Sequence, residues 1–326
     1  GLRHPGFVQV LDAGLDPDLF QVLPCPGRLA SEIIDLGVDY VNFTGSTGVG
    51  KSVAARCGHA LVPCSMELGG KDPAIVLPDA NIDYTVAGLV WGAFANAGQV
   101  CASVERAYVH TDIYDEVVEK VTRAVEALRV GDPLAGEFDM GPMTDPGQLD
   151  IVEKQVNAAV KAGARVLTGG KRIEGKGNFY APTVLVDVED SMTCIVEETF
   201  GPTLPILRYT DLDDAIRRAN DSIFGLDAYV FTGDRKEGRR VAELLDAGTV
   251  MVNEVLFTHA CPETPWGGVK ESGIGRVHSD DGLRELCESY HVNEERISLP
   301  LSKSPFWHPY SPDAYARILG AARMLL

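Results

Sequence analysis

Short apolar runs rich in β-branched residues alternate with helix-like runs along most of this chain. In its first part, the runs at residues 7–11, 38–43 and 61–66 predict strands, and those at 27–36 and 49–57 predict helices. This βαβαβ order predicts a parallel sheet with crossover helices. With 326 residues the chain is long enough for about two domains, so these elements account for only the first.

The alternation continues in a second α/β stretch. Further strands are predicted at residues 105–110, 184–188, 204–209, 228–231 and 249–253, and residues 74–77 form a short apolar run. Further helices are predicted at residues 82–96, 114–128, 148–162, 212–219 and 235–245. After these, residues 290–298 predict a strand that leaves the globule. Residues 312–326 predict a helix that packs on its own domain or on a sister subunit.

The charge and the cysteines narrow the class of protein. The net charge of -18 repels nucleic acid phosphates and anionic lipid, and no apolar run is long enough to cross a bilayer. The seven cysteines include no CxxC pair and no Cys/His cluster with zinc spacing, which predicts no metal site, reduced thiols and a cytoplasmic location. The chain starts at Gly1 without a basic-then-apolar leader, so we expect it to begin mid-gene or to be processed.

A glycine-rich motif follows the second predicted strand. Residues 45–52 read Gly-Ser-Thr-Gly-Val-Gly-Lys-Ser and fit the P-loop pattern at every position, between a predicted strand and a predicted helix. A nucleotide-hydrolysing protein would use Lys51 for phosphates and Ser52 for magnesium. However, Pro78 disturbs the strand end that should present a metal-binding Asp79. The same turn suits the diphosphate of a dinucleotide, which is the interpretation that we favour over a phosphate-binding loop or an empty turn.

Two residues supply the groups needed to oxidise an aldehyde through a thioester. Cys101 follows a predicted helix in a Gly-Gln segment, where its thiolate could attack a carbonyl and its own amide could stabilise the oxyanion. This chemistry requires a larger thiolate fraction than that of a free cysteine, whose pKa is about 8.5. Glu67 ends a predicted strand, and strand ends of parallel sheets face ligand crevices, so its carboxylate could activate the water that cleaves the thioester.

A second carboxylate fits a cofactor clamp. Glu198 precedes Phe200, and a carboxylate beside an aromatic ring could bind two ribose hydroxyls and steer a neighbouring ring. One of the adjacent residues Glu197 and Glu198 is expected to be an ordinary surface charge.

These motifs together resemble the NAD(P)-dependent aldehyde dehydrogenase superfamily. Five segments match in the family's order, at residues 43–47, 67–71, 98–101, 197–202 and 265–273. The resemblance implies a partial Rossmann-like cofactor domain at residues 1–70, a second α/β catalytic domain at 71–288, and a bridging strand with a helix at 289–326. It also implies a homo-oligomer, because the family's strand at the position of residues 290–298 bridges subunits.

The resemblance assigns the chemistry to Cys101 as the nucleophile and Glu67 as the base for thioester hydrolysis, with NAD or NADP as hydride acceptor. Trp266 corresponds to an aromatic wall of the aldehyde pocket, and residues 254–263 correspond to a loop that influences substrate choice.

The resemblance places the cofactor beside six residues. Gly45 and Ser46 belong to the turn near the diphosphate, and Gly50 closes it. The backbone of Leu68 faces the nicotinamide carboxamide, Glu198 holds the nicotinamide ribose and Phe200 lies beside the ring.

This sequence lacks positions that match the first strands of the family's cofactor fold, its oxyanion asparagine and its ribose-binding lysine. We therefore expect the chain alone to bind NAD weakly and to oxidise aldehydes poorly. The residues that would distinguish NAD from NADP are among those without a match.

Three other hypotheses stay open at this stage. The chain could be a P-loop nucleotide-binding protein that uses residues 45–52, or a non-catalytic remnant of the dehydrogenase fold. Within the superfamily, it could pass its thioester to coenzyme A, although Glu67 favours hydrolysis.

Overall fold

The computed structural model describes residue 19, residues 21–294 and residues 312–325. The predicted strand at 7–11 and residues 295–298 of the predicted bridging strand lie outside this part, and residues 290–294 form no strand. The chain divides into two units, Gly1–Leu286 and Cys287–Leu326.

Regular elements alternate throughout the first unit. Its strands within the described residues are β1 (Val41–Thr44), β2 (Cys64–Glu67), β3 (Asp72–Val76), β4 (Val104–His110), β5 (Arg165–Thr168), β6 (Thr183–Val186), β7 (Thr203–Tyr209), β8 (Asp227–Phe231), β9 (Thr249–Val252) and β10 (Gly273–Ile274). Its α-helices are α1 (Gly27–Glu32), α2 (Thr47–Ala60), α3 (Ile82–Phe94), α4 (Tyr114–Glu126), α5 (Pro146–Lys161), α6 (Thr193–Val196), α7 (Leu212–Asn220), α8 (Arg235–Ala242) and α9 (Ser279–Glu285). In the second unit, residues Pro312–Leu325 form helix α10. No described helix has the length and apolarity to span a membrane.

The strands form two sheets. The small sheet has the order β1-β2-β10, with β1 and β2 parallel and β10 antiparallel to β2. The large sheet has the order β5-β6-β7-β4-β3-β8-β9, and only β5 runs antiparallel to its neighbour. Every residue of the central strands β3 and β8 is buried, as expected for parallel strands that are covered on both faces.

Local side-chain hydrogen bonds explain where several helices begin. Asn81, Asp145, Asp211 and Asp234 each accept a backbone N–H of the helix that follows them. These contacts satisfy amides that have no partner inside the helix. The helices therefore start at positions that the sequence itself specifies.

The predicted α/β fold is confirmed, with element boundaries that shift by a few residues. The run at 27–36 divides into α1 and a 3-10 turn at Ile33–Leu36. Strands β5 and β10 and helices α6 and α9 were not predicted. β5 is a partly exposed edge strand, and the other three are short, so none carries a clear apolar period.

The carboxyl ends of the small-sheet strands β1 and β2 lie near the amino ends of the large-sheet strands β3 and β4. β1 and β2 of the small sheet end at Thr44 and Glu67, which are partners in the register. The chain then enters the large sheet at Asp72, whose register partner is Val104 at the start of β4. Loops that leave the small sheet and loops that enter the large sheet therefore converge.

Candidate active site

An unusual backbone segment presents Cys101. We define the Cys101 loop as residues 95–103. Three successive residues of this loop, Asn96, Ala97 and Gly98, have φ values of 51°, 57° and 69°. A Cβ at Gly98 would lie 2.2 Å from the carbonyl oxygen of Gly201, so this position requires glycine. The loop thereby packs directly against the segment that carries Glu198.

Glu67 is held in a buried position by Trp266. Glu67 is the last residue of β2 and is 8% exposed. The indole Nε1 of Trp266 donates a hydrogen bond of 2.7 Å to Oε2 of Glu67. Burial raises the pKa of the Glu67 carboxyl, whereas the Trp266 hydrogen bond and nearby Arg276 lower it. This carboxyl is oriented by a fixed donor and has a higher affinity for protons than an exposed glutamate.

Trp266 connects Glu67 with Cys101. The indole is 2% exposed and forms an apolar cluster with Ala102 and Leu226, against which Cys101 packs. Glu67 and Cys101 therefore both lie beside the same indole. Trp266 was predicted only as a pocket wall, and the hydrogen bond to Glu67 was not foreseen from the sequence.

The thiol does not have the raised thiolate fraction that the sequence argument required. Burial, followed by the charges of Asp72, Asp227 and Glu67, raises the pKa of Cys101 to about 12. A hydrogen bond from the amide of Ala102 lowers it only in part. Cys101 is thus a protonated thiol at neutral pH in this state, and attack on a carbonyl requires a base or a nearby positive charge.

Gly69 and Gly70 allow close packing between the three segments that carry Glu67, Cys101 and Glu198. The amide of Gly70 donates a 3.1 Å hydrogen bond to Oε1 of Glu198. A Cβ at Gly69 would lie 2.4 Å from Oε2 of Glu198, and one at Gly70 would lie 2.6 Å from the carbonyl oxygen of Cys101. The Gly-Gly pair therefore lets Glu67, Cys101 and Glu198 approach one another.

The carboxyl of Glu198 is largely buried. Burial, and secondarily the charge of Glu105, raises its pKa to about 7, while the amide of Gly70 and Lys71 lower it. Glu197, in contrast, is exposed and is the ordinary surface charge of the pair. A buried carboxyl with one backbone donor can accept further hydrogen bonds from ligand hydroxyls.

A buried ion pair supports the segment from Glu198 to Phe200 and was not found from the sequence. Lys71 Nζ lies 2.5 Å from Oε2 of Glu105 and 3.0 Å from the hydroxyl of Thr199. Glu105 also accepts the amides of Thr199 at 2.9 Å and Phe200 at 2.8 Å. The available signal was an acidic residue near the start of an apolar strand, because charges are rarely buried without partners.

The glycine-rich turn lies next to Glu67. The amide of Gly45 donates to the carbonyl oxygen of Glu67 at 3.1 Å, and Ser46 precedes α2 without capping it through its side chain. A Cβ at Gly50 would lie 2.3 Å from Cδ2 of Leu68. The amide of Leu68 donates to the carbonyl oxygen of Ser272 at 2.9 Å, so its carbonyl is the group that can face a ligand.

The P-loop interpretation receives no support. Lys51 Nζ forms a 2.7 Å ion pair with Glu271, and the Ser52 hydroxyl donates to the carbonyl oxygen of Gly48 at 3.2 Å. Both side chains that would bind a nucleotide phosphate and its magnesium therefore have other partners. The described residues also contain no group of three or more His, Cys, Asp or Glu side chains that could hold a metal ion.

The residues of the glycine-rich turn and its surroundings fit a dinucleotide better than they fit a P-loop nucleotide with magnesium. The first turn of α2 leaves amides that its N-cap side chain does not satisfy, which suits a diphosphate. The close approach at Gly50 brings α2 against Leu68, and the carboxyl of Glu198 lies close to Gly69. The candidate diphosphate and ribose contacts thus flank the same short stretch of chain.

The fold and the site define an α/β protein in which a half-buried thiol, the buried carboxyl of Glu67 and the partly buried carboxyl of Glu198 lie between two sheets. The family model for the aldehyde dehydrogenase family matches residues 7–292. This chain belongs to the aldehyde dehydrogenase family.

Individual relatives agree with this assignment. A succinate-semialdehyde dehydrogenase [NADP(+)] 1 of Mycobacterium bovis is 41% identical over 280 residues, which are 85% of this chain and 61% of the relative. A Mycobacterium tuberculosis aldehyde dehydrogenase, solved with NAD+, is 39% identical with a TM-score of 0.75, over 79% of this chain and 53% of that one. An NAD+ complex from Bacillus cereus is 36% identical with a TM-score of 0.76, over 79% and 52% of the two chains. The chain spans about half the length of the curated relatives that it matches (55% in one case).

Proposed function

We propose that this chain carries the thiol and hydrolysis site of an NAD(P)-dependent aldehyde dehydrogenase, with Cys101 as the nucleophile and Glu67 as the base. The observation that supports this most directly is the contact of Trp266 with both residues. Its indole donates to Glu67 and packs in the cluster that contains Cys101.

The first chemical task is to form a bond between the thiol sulfur and an aldehyde carbon. Because the thiol is protonated at neutral pH, its proton must leave as the bond forms. This proton passes to a water molecule, so Glu67 stays unprotonated for the hydrolysis that follows. The product is a thiohemiacetal whose oxyanion the Cys101 loop can stabilise through backbone N–H groups.

The second task is to remove hydride and to cleave the thioester that results. NAD(P), when bound, supplies the hydride acceptor. Glu198 and Phe200 would hold its nicotinamide half, the turn at Gly45 and Ser46 would hold its diphosphate, and Gly50 would allow close packing. Glu67 then takes a proton from water, and the resulting hydroxide attacks the thioester carbon and releases the sulfur as a thiolate.

The substrate, the cellular location and the oligomeric state belong to the same proposal. The name of the Mycobacterium bovis relative makes succinate semialdehyde the first aldehyde to test. The seven cysteines, all free thiols, support a reducing cytoplasmic setting. A homo-oligomer is part of the proposal on the family resemblance at residues 290–298 alone, because residues 290–294 form no strand in the structure.

Acyl-enzyme kinetics test this proposal without requiring tight cofactor binding. With 4-nitrophenyl acetate, Cys101→Ala should release no more nitrophenol than buffer, whereas Glu67→Gln should release about one equivalent and then stall. Mass spectrometry should find the acetyl group on Cys101 in the Glu67→Gln protein. Unchanged turnover in Cys101→Ala would contradict the proposal, and Cys194→Ala is the matched control for removal of another buried thiol.

A further inference from the structure

We propose that a cavity between the first turns of α3 and α8 binds the phosphate group of a small phosphorylated molecule. The ligands are the guanidinium groups of Arg235 and Arg239 and the hydroxyl of Thr85. The Cys101 loop follows the other end of α3, and a helix of 13 residues is about 20 Å long. The phosphate site is therefore separate from the thiol site, and it does not depend on the proposed function.

The order of the large sheet creates a crevice at this end of α3. β3 leads through α3 to β4 on one side of it, whereas its other neighbour β8 leads through α8 to β9 on the far side, and these four strands are parallel. Right-handed crossovers in opposite directions place α3 and α8 on opposite faces of the sheet. The first turns of both helices then flank the carboxyl ends of β3 and β8, which is where ligands bind in open parallel sheets.

A cavity of about 660 Å³ lies at this crevice. Its lining includes Asn81 and Tyr84 at the start of α3, and Asn253 directly after β9. The side chain of Asn253 accepts the amide of Thr232 at 2.9 Å and donates to the carbonyl oxygen of Thr232 at 2.8 Å. The Tyr84 hydroxyl donates to the carbonyl oxygen of Asn253 at 3.0 Å. The cavity therefore has the size of a small-molecule site and a wall that hydrogen bonds hold in place.

Arg235 and Arg239 give the cavity its positive charge. They lie one turn apart on α8, and both line the cavity. Neither guanidinium forms a hydrogen bond or an ion pair with the residues that the structure describes, whereas Arg240 on the same helix pairs with Glu237. Like charges four residues apart destabilise a helix, and a positive charge in the first turn, as at Arg235, opposes the helix dipole. A bound anion would remove both penalties.

The buried hydroxyl of Thr85 is a second group that lacks a partner. Thr85 is 1% exposed, and it lines the cavity. Within the described part of the chain its hydroxyl makes no hydrogen bond, not even to the carbonyl oxygen of Asn81 one turn earlier, whereas Thr122 bonds the carbonyl oxygen of Val118 in this way. A buried hydroxyl without a partner is costly, and a ligand oxygen in the cavity would remove this cost.

A phosphate group fits these donors better than a single carboxylate. Each guanidinium can donate two parallel hydrogen bonds, and a phosphate monoester has the oxygens and the charge to engage two guanidinium groups. The first turn of α8 adds backbone amides that favour phosphate. Glu254 also lines the cavity, so the lining carries two positive charges and one negative charge. The ring of Tyr84, which is 55% exposed, offers a surface for the rest of the molecule.

Modification of arginines by phenylglyoxal tests the site without cofactor or aldehyde. Peptide mass spectrometry follows the rate at each arginine, with inorganic phosphate as the ligand and with chloride at equal ionic strength as the reference. At three times its dissociation constant, phosphate should slow the modification of Arg235 and Arg239 about fourfold, because only protein without bound phosphate reacts. Arg217, which is exposed on α7, is the control and should react equally fast with and without phosphate.

Four variants assign the individual groups through the phosphate concentration that half-protects Arg235. In Arg239→Gln this concentration should rise about tenfold, because a charged hydrogen-bond donor is lost. Thr85→Val keeps the shape of the side chain without its hydroxyl and should raise the concentration about threefold. Glu254→Gln removes the opposing charge and should lower it about threefold. Arg217→Gln should leave it unchanged.

Three results would overturn the proposal. The first is that phosphate does not slow the modification of Arg235 and Arg239, or slows that of Arg217 equally. The second is that acetate, at equal ionic strength, protects as well as phosphate, which would show a surface that attracts any anion. The third is an unchanged half-protecting concentration in Arg239→Gln or in Thr85→Val, which would mean that phosphate does not contact these groups.

Discussion

The indole nitrogen of Trp266 lies 2.7 Å from Oε2 of Glu67, although the two residues are 199 positions apart in the chain. The contact is possible because β10 pairs antiparallel with β2 and returns the chain to the end of the small sheet. The hydrogen bond gives Glu67, the proposed base, a fixed orientation. It also lowers the pKa of this carboxyl, which burial raises.

Replacing Trp266 with phenylalanine should therefore shift the pH dependence of thioester hydrolysis. Without the indole N–H, the pKa of Glu67 rises further, so the active carboxylate form is reached only at higher pH. On the acid limb of its pH profile, we expect hydrolysis of the acetyl-enzyme to slow about tenfold, because a hydrogen bond to a charged group contributes about 1.5 kcal/mol. The acid limb of the rate profile should move to higher pH. Trp91→Phe, at an exposed site on α3, is the control, and an unchanged profile in Trp266→Phe would rule out this role.

The backbone of the Cys101 loop should tolerate no side chain at Gly98. In Gly98→Ala the new Cβ would meet the carbonyl oxygen of Gly201 at 2.2 Å and would also adopt a left-handed φ of 69°. Left-handed backbone alone costs about 1–2 kcal/mol, and the collision adds to this. Gly163→Ala has a positive φ of 111° but meets nothing within 4 Å, so it measures backbone strain without collision. Urea unfolding should show a larger loss in the free energy of unfolding for Gly98→Ala than for Gly163→Ala. Equal losses in the two variants would contradict the packing argument.

The sequence predicted the α/β fold and the motifs of the site because both depend on local patterns. Parallel strands bury continuous apolar runs, and the Gly-Gly pair after Glu67 marks a close approach of backbone to side chain. The contacts that hold the site were not predictable in this way. The pairing of Lys71 with Glu105 depends on sheet order, which no local pattern in one sequence specifies. The raised pKa of Cys101 depends on the burial and the charges that this packing creates.

The buried ion pair between Lys71 and Glu105 should contribute strongly to stability. Lys71→Met leaves the carboxylate of Glu105 buried without its cation, which should cost about 3–5 kcal/mol in the free energy of unfolding. Arg165→Met breaks the exposed pair with Asp187 and should cost less than about 1 kcal/mol. Chemical denaturation at neutral pH measures both. Comparable losses in the two variants would show that the buried pair does not support the segment at Thr199.

Stability should also depend on pH through Glu198. Its pKa is about 7 in the folded protein against an ordinary value of 4.5, so folding favours the protonated form. Its contribution is complete below the unfolded pKa and is lost as the pH rises through the folded value. Between about pH 5 and pH 8 the wild type should lose about 2.5 kcal/mol through this group. Glu198→Gln keeps an acceptor for the amide of Gly70 but does not titrate. Over this pH range the free energy of unfolding of this variant should therefore change less than that of the wild type, by the amount that Glu198 contributes. Glu197→Gln, at the exposed neighbour, should keep the wild-type slope. A wild-type slope in Glu198→Gln would mean that this carboxyl does not titrate near neutral pH.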